Sequence, residues 1–227
     1  MRKIVFANNE IYHILNRSIE QRPIFTNKRE YNRALITLNF YRFKNPPLRL
    51  SKALLLENQK REEFFQGFKQ ESTKLVEIIS YCLIPNHFHF LLKQKANNGI
   101  PKFASNFTNS YTRYFNTKHK RIGPLFQGIF KAIWIENDEQ LIHVSRYIHL
   151  NPVVSFIVKE EHLDTYPWSS LPEYLGSQKE KICDKEIILG LFPSKEKYRK
   201  FIHDQIDYAK KLEAIKHLIL EYNEVST

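Results

Sequence analysis

Hydrophobic positions along the chain follow two periods, the two-residue repeat of a half-buried strand and the 3.6-residue repeat of an amphipathic helix. Glu10 to Asn16 (E-I-Y-H-I-L-N) is rich in β-forming residues and runs into the polar stretch Asn16 to Gln21, which predicts a first strand. From Asn27 to about Phe43, the residues Ala34, Leu35, Leu38 and Tyr41 fall at helical spacing until Pro46 and Pro47 stop the pattern. A charged stretch from Ser51 to Gln66 predicts a second helix, read as an insertion into a smaller fold. Lys74 to Ile84 and His87 to Lys93 are two strands separated only by the turn-forming pair Pro85 and Asn86, hence a hairpin. Asn98 to Lys118 returns to helical spacing through Ile100, Phe103, Phe107, Tyr111, Tyr114 and Phe115, and a loop at Gly123 and Pro124 leads to a short strand from Ile129 to Ile135. Asn137 then caps a helix from Asp138 to Leu150, with Asp138 and Glu139 in its first turn, Gln140 three residues past the cap, and Pro152 closing it after Asn151.

Strand, helix, hairpin, helix, strand is the order of a split βαβ unit. The expected fold class is therefore α+β, a ferredoxin-like antiparallel sheet with helices on one face. From Pro167 the chain turns irregular, and helical stretches from Asp184 to Leu191 and from Ser194 to Tyr222 make a C-terminal extension. The expected organisation is one domain over 1–176, with 48–70 as a helical insertion, and a helical extension over 177–227.

Charge narrows the class of partner. Lys and Arg number 35 against 24 Asp and Glu, a formal net charge of +11, which favours a polyanion. No run of 18 apolar residues occurs, and the opening Met1 to Phe6 breaks into polar Asn8, Asn9 and Glu10 too early for a signal peptide, so the expectation is a cytoplasmic protein with no membrane partner. Cys82 and Cys183 lack CxxC spacing, support neither a zinc knuckle nor a disulfide framework, and read as core thiols. From Ile78 to Ile135 there is no Asp or Glu, while Lys93, Lys95, Lys102, Arg113, Lys118, Lys120, Arg121 and Lys131 supply cations interleaved with aromatic residues such as Phe103, Tyr114 and Trp134. Such a mixture grips phosphates and stacks on unpaired bases, although some of those rings must also serve the core.

Candidate chemistry begins at His87, Phe88, His89, Phe90. In a strand both imidazoles point one way and both rings the other, which makes the histidines a ready pair of metal ligands. An isolated H-x-H is more often two solvent-facing histidines, so context has to decide. On the helix from Asp138, Leu141, Val144 and Ile148 form a narrow apolar stripe, while His143, Tyr147 and Asn151 line up four residues apart on a neighbouring face. A candidate nucleophile and a candidate ligand thus sit side by side, although taken alone Tyr147 reads as a half-buried packing residue and Asn151 as a helix terminator.

With these residues the sequence resembles a family, the single-tyrosine HUH transposases of bacterial insertion sequences, and most of all their domesticated relatives, the REP-associated tyrosine transposases. The resemblance is carried by Y-C-L-I-P-N-H-F-H-F-L-L (Tyr81 to Leu92), G-P-L-F-Q-G-I-F (Gly123 to Phe130), R-Y-I-H-L-N-P-V (Arg146 to Val153) and Y-P-W-S-S (Tyr166 to Ser170), in that order over roughly Tyr12 to Gly176. It implies that 1–176 is the catalytic domain, His87 and His89 the two histidine ligands, Tyr147 the nucleophile and Asn151 a third ligand. It also implies Mg²⁺ or Mn²⁺ as the metal, no nucleotide cofactor, and a monomer or a homodimer acting on single-stranded or hairpin DNA. Asn16, Arg17, Arg113, Asn116, Lys118, Lys120, Arg121 and Lys131 are the candidate DNA contacts. Two features depart from the pattern: Ile129 stands where a basic residue is expected, and 48–70 has no counterpart.

The implied activity is metal-dependent nicking and rejoining of single-stranded DNA through a 5′-phosphotyrosine. The phosphoester energy stays in that bond, so another 3′-OH can reverse it without ATP. Tyrosine, with a reference pKa of about 10, needs help from the metal, nearby cations or a base such as His143. Two other readings compete: a catalytically silent binder of structured DNA or RNA derived from such a transposase, and a zinc hydrolase on the histidine pair. Against the hydrolase, no third His or Glu stands at metalloprotease spacing.

Overall fold

The computed structural model describes residues 4–178 and 181–211. Its frame is a four-stranded sheet in the order β2-β3-β1-β4, with β1 Ile11–Arg17, β2 Val76–Ile84, β3 His87–Gln94 and β4 Lys131–Ile135. β1 lies antiparallel to both β3 and β4, and the fold is the expected α+β ferredoxin-like sheet. Contacts between Cα atoms group the chain into two compact units, Met1–Ile78 with Pro85–Ile135, and Ile79–Ile84 with Glu136–Thr227.

In the first unit, α1 (Lys28–Tyr41) starts on Asn27, whose side chain accepts the Glu30 N–H. α4 (Gly99–Lys118) packs against α1 and β3. Phe103, Phe107 and Tyr111 of α4 are fully buried, and the Phe107 ring stands edge-on to both Phe88 and Phe90. The Phe88 face of β3 is thereby the core face, and the histidines lie on the other. Gly99 is required at the start of α4 because any Cβ there would overlap the Leu75 carbonyl oxygen.

The helix predicted from Ser51 to Gln66 is instead two, α2 (Leu50–Ala53) and α3 (Asn58–Glu71). Leu50 and Phe68 both bury against Phe40 and Phe43, with Phe64 and Phe65 packed alongside. A break between them lets both ends of the segment fold onto the end of α1.

In the second unit, Asn137 caps α5 (Asp138–Val154) by accepting the Gln140 N–H, as predicted. Pro152 does not close this helix; α5 runs two residues further. A proline removes one ladder bond, but Pro152, Val153 and Val154 are buried, and the Ser155 N–H returns to the Asn151 carbonyl, so burial holds the last turn. The motif Y-P-W-S-S lies along Ile79–Ile84 of β2: the Leu83 N–H reaches the Trp168 carbonyl, the Ser170 N–H reaches the Tyr81 carbonyl, and Tyr166 Oη donates to the Leu83 carbonyl. Then follow α6 (Leu171–Leu175), α7 (Glu186–Leu189) and α8 (Lys195–His203), the last two packed against α5. The single helix expected from Ser194 to Tyr222 is interrupted by a turn at residues 204–205, resumes over 206–211, and beyond that lies outside the described residues. Cys82 is buried, whereas Cys183 is only partly so.

Candidate active site

His87 and His89 occupy alternate positions of β3, with ring centroids 5.0 Å apart and planes at 76°. Both are nearly inaccessible, at 9% and 3% exposure. Nδ1 of His87 lies 2.7 Å from Oδ1 of Asn86, an acceptor, so Nδ1 carries the proton and Nε2 the lone pair. Nδ1 of His89 lies 2.9 Å from Nε2 of a third imidazole, His13 on β1. Burial pushes His87 down to about 3, helped by the Arg17 guanidinium, and His13 down to about 4. Burial, with His13, His87 and Arg17 adding to it, holds His89 well below the usual imidazole range. All three are therefore neutral at physiological pH, the form that binds metals.

Register places cations beside them. Arg17 pairs with His87 across the β1–β3 ladder, Leu15 pairs with His89, and Lys131 of β4 pairs with Leu15 on its other side. Arg17 and Lys131 are exposed and share the histidine face. Asn16 alternates to the opposite face, is 5% exposed, and spends its amide on the Gly128 carbonyl at 3.4 Å while its Oδ1 accepts the Arg17 N–H.

The remaining basic candidates divide. Arg113 and Lys120 are exposed. Lys118 instead donates at 2.7 Å to Glu30, a fully buried carboxylate that also accepts from His119 and from the Thr26 N–H and hydroxyl. Burial raises that carboxyl, but Lys118, Thr26 and His119 outweigh it and hold it at about 2. Asn116 and Arg121 bond each other and clamp the next loop through the Gly123 and Pro124 carbonyls. Most aromatic rings of the acid-free stretch are core: Phe103, Phe107, Tyr111, Phe115 and Phe126 are buried, whereas Trp134 is 46% exposed.

Tyr147 and Asn151 belong to the second unit. They lie one turn apart on α5, the phenol 42% exposed and the amide 4% exposed, with Oδ1 of Asn151 accepting from Ser155 Oγ at 3.3 Å. His143 is exposed, and its Nδ1 accepts from Arg146 at 2.7 Å, which occupies the lone pair a base would use. The α5 core face differs from the expected stripe: Val144 is only partly buried, and the polar Ser145 and His149 are fully buried instead. Tyr198 Oη of α8 joins them, 2.7 Å from Ser145 Oγ and 2.8 Å from His149 Nδ1, and His149 Nε2 lies 2.7 Å from Ser170 Oγ, which accepts the Tyr81 N–H. The helix bearing Tyr147 is thus tied by a buried polar chain to α8, to Y-P-W-S-S and to β2.

Sequence reasoning missed His13, Asn86, Glu30 and this polar chain. His13 was visible only as one polar residue in a β-rich run, and its meaning depends on a strand register that no local pattern encodes. Among the described residues no group of three His, Cys, Asp or Glu side chains is arranged to hold a metal.

Residues 52–151 match the family model described as "Transposase IS200 like". That match begins inside the 48–70 segment and contains His87, His89, Tyr147 and Asn151. Comparison with curated proteins gives no match. Among solved structures, a REP-associated tyrosine transposase bound to a REP hairpin superposes with a TM-score of 0.51 and 14% identity over 81% of this chain and 93% of that one. At that identity the likeness is one of fold. The resemblance carried by the motifs holds in both respects, IS200-like in sequence over 52–151 and tyrosine-transposase-like in fold. No helix of the described residues is long and apolar enough to cross a membrane.

Proposed function

We propose that this chain nicks and rejoins single-stranded, hairpin-bearing DNA, with Tyr147 as the nucleophile and His87, His89 and Asn151 as the protein ligands of a divalent metal. The observation that carries the reading is the imidazole pair of β3, buried, neutral and with its Nδ1 atoms engaged by Asn86 and His13, inside a stretch that matches IS200-like transposases. Two neutral imidazoles, an amide oxygen, phosphate and water form a mixed donor set that suits Mn²⁺ or Mg²⁺. When bound, the metal would supply positive charge to a nonbridging phosphate oxygen.

The chain's own residues account for the rest. Arg17 and Lys131, both exposed, flank the buried histidines on the same sheet face and offer charge to the strand's phosphates. The Tyr147 oxygen attacks phosphorus, a Tyr–O–P bond forms and the P–O3′ bond breaks; the phenolic proton passes to solvent, and the departing 3′ oxygen takes up a proton from solvent to leave as a 3′-OH. Attack by a 3′-OH on the phosphotyrosine reverses the bookkeeping and regenerates the phenol. The buried chain from Ser145 through Tyr198 to Ser170 fixes the helix that presents Tyr147, which pre-pays part of the orientation cost.

The test is a labelled hairpin oligonucleotide with Mn²⁺. Wild type gives a denaturation-resistant protein–DNA adduct, mapped to Tyr147 by mass spectrometry; Tyr147→Phe binds the DNA and gives none. An adduct on Tyr111 or Tyr114 overturns the assignment, and the buried Tyr111, whose Oη donates to the Ile24 carbonyl, makes that outcome a sharp one.

A further inference from the structure

On the first unit a groove of about 1420 Å³ opens between α1, α4 and residues 45–55, on helix surfaces. It exceeds the ~300–1,000 Å³ of small-molecule pockets, which suits an extended chain better than a compact ligand. Seven cations line it, Lys28, Arg29 and Arg33 of α1, Arg49, and Lys102, Arg113 and Lys118 of α4; no acidic side chain does, and Lys118 is already held by Glu30. None of the other six pairs with a carboxylate among the described residues; Lys102 instead donates to Asn45 Oδ1 at 3.3 Å, joining α4 to the 45–55 segment.

Two further observations point to an occupant. Arg33 Nε and Tyr114 Oη are buried and find no hydrogen-bond partner among the described residues, although buried polar atoms almost always have one. The Arg33 guanidinium stands 5.1 Å from the Tyr114 ring centroid, a cation–π pair. Alongside them, Ile36, Leu48 and Leu55 are exposed at 40%, 38% and 79%. Phosphates would take the cations, and the carboxamides of Asn106 and Asn109 offer donors and acceptors to a base edge. The Tyr114–Arg33 pair and the exposed aliphatic side chains offer surface for the base itself.

We propose that this groove holds an unpaired stretch of the DNA strand, with phosphates on the six cations and a base against Tyr114 and Arg33. The proposal rests on the reading that the partner is single-stranded or hairpin DNA. It assigns Lys28, Arg29, Arg33 and Arg49, four cations outside the acid-free stretch, to DNA binding. The groove is also distinct from the histidine face, because α4 covers the opposite, Phe88 side of the sheet.

The test uses Tyr147→Phe protein, so that no adduct enters the reading, and a short fluorescein-labelled oligothymidylate whose anisotropy is followed across salt. Lys28→Glu/Arg29→Glu/Arg49→Glu should weaken binding about tenfold or more and lower the salt slope by roughly 2, since each single-strand phosphate contact contributes about 0.7. The control Lys159→Glu/Lys197→Glu/Lys200→Glu, equal in charge, should change affinity less than about threefold. The same oligonucleotide carrying 4-thiothymidine should crosslink to peptides containing Tyr114 or Arg33. Equal losses in both triple variants, no loss in the groove variant, or crosslinks confined to other peptides overturns the groove. So does loss of binding to phosphatidylglycerol vesicles with DNA binding intact. Groove-dependent binding in a protein that never forms an adduct would leave this site standing and remove the proposed reaction; an adduct with groove-independent binding would do the reverse.

Discussion

Strand β3 and the C-terminal end of α4 are both dense in side chains of functional type, yet they relate to their sequence in opposite ways. In β3 the alternation is the structure: Phe88 and Phe90 go into the core, His87 and His89 to the other face, and nothing distant changes that assignment. At the end of α4, Lys118, Asn116 and Arg121 look like a phosphate-gripping run, and all three are engaged within the chain, Lys118 by a glutamate 88 residues away. A local period of two can be read without knowing the fold. The availability of a cation cannot, because one buried carboxylate from elsewhere reassigns it.

The largest expected effect tests the first half of that contrast. His87→Ala or His89→Ala should lower adduct formation about 10²-fold or more with hairpin DNA and Mn²⁺, while DNA affinity at fixed salt changes less than about threefold. The rate comes from single-turnover gels and the affinity from anisotropy. Wild-type rates in either variant, or in EDTA, would break the claim that the strand's chemistry is legible from its alternation.

A smaller effect tests the second half. Lys118→Ala should destabilise the fold by about 1–3 kcal/mol in urea unfolding, because it strips the first neutralising partner from a buried carboxylate. Glu30 is held at about 2, below its ordinary 4.5, so its contribution is complete above about pH 4.5 and is lost as pH falls toward 2. Wild type should therefore weaken over that window, and Glu30→Gln, less stable at pH 7, should show a shallower acid limb. If Lys118→Ala leaves stability unchanged and instead weakens DNA binding, the residue is a phosphate contact after all.

The same distinction explains what was legible in the rest of the chain. The sheet, α1, α4 and α5 follow from periodicity and, for α5, from the Asn137 cap, whose signals lie within four residues of what they specify. The 51–66 segment was misread because its break serves packing of Leu50 and Phe68 on Phe40, a long-range demand. Pro152 was misread for a similar reason: propensity stops a helix there, and burial of the final turn carries it on. Of the site, the histidine pair was readable and its support was not. Asn86 was seen only as a turn residue and His13 only as part of a strand; both act on ring nitrogens that a sequence does not display.

The smallest effect separates two arginines that the sequence treats alike. Arg121 donates to the Asn116 amide and to the Gly123 and Pro124 carbonyls, so its charge is tethered to its own loop. Arg113 projects from α4 into the 45–55 groove and has no acidic partner among the described residues. Counterion release counts only cations that reach phosphates, and on a single strand each contributes about 0.7 to the slope of log affinity against log salt. Arg113→Ala should therefore lower that slope by about 0.7 and weaken binding at low salt by a few fold. Arg121→Ala should leave the slope where it was and show itself in stability, through loss of the clamp on residues 121–124. The two slopes, measured by anisotropy on one oligonucleotide over one salt series, decide between a count of charges and a map of their partners: equal losses from both variants would mean that net charge alone governs binding, and that the intrachain bonds of Arg121 give way when DNA arrives.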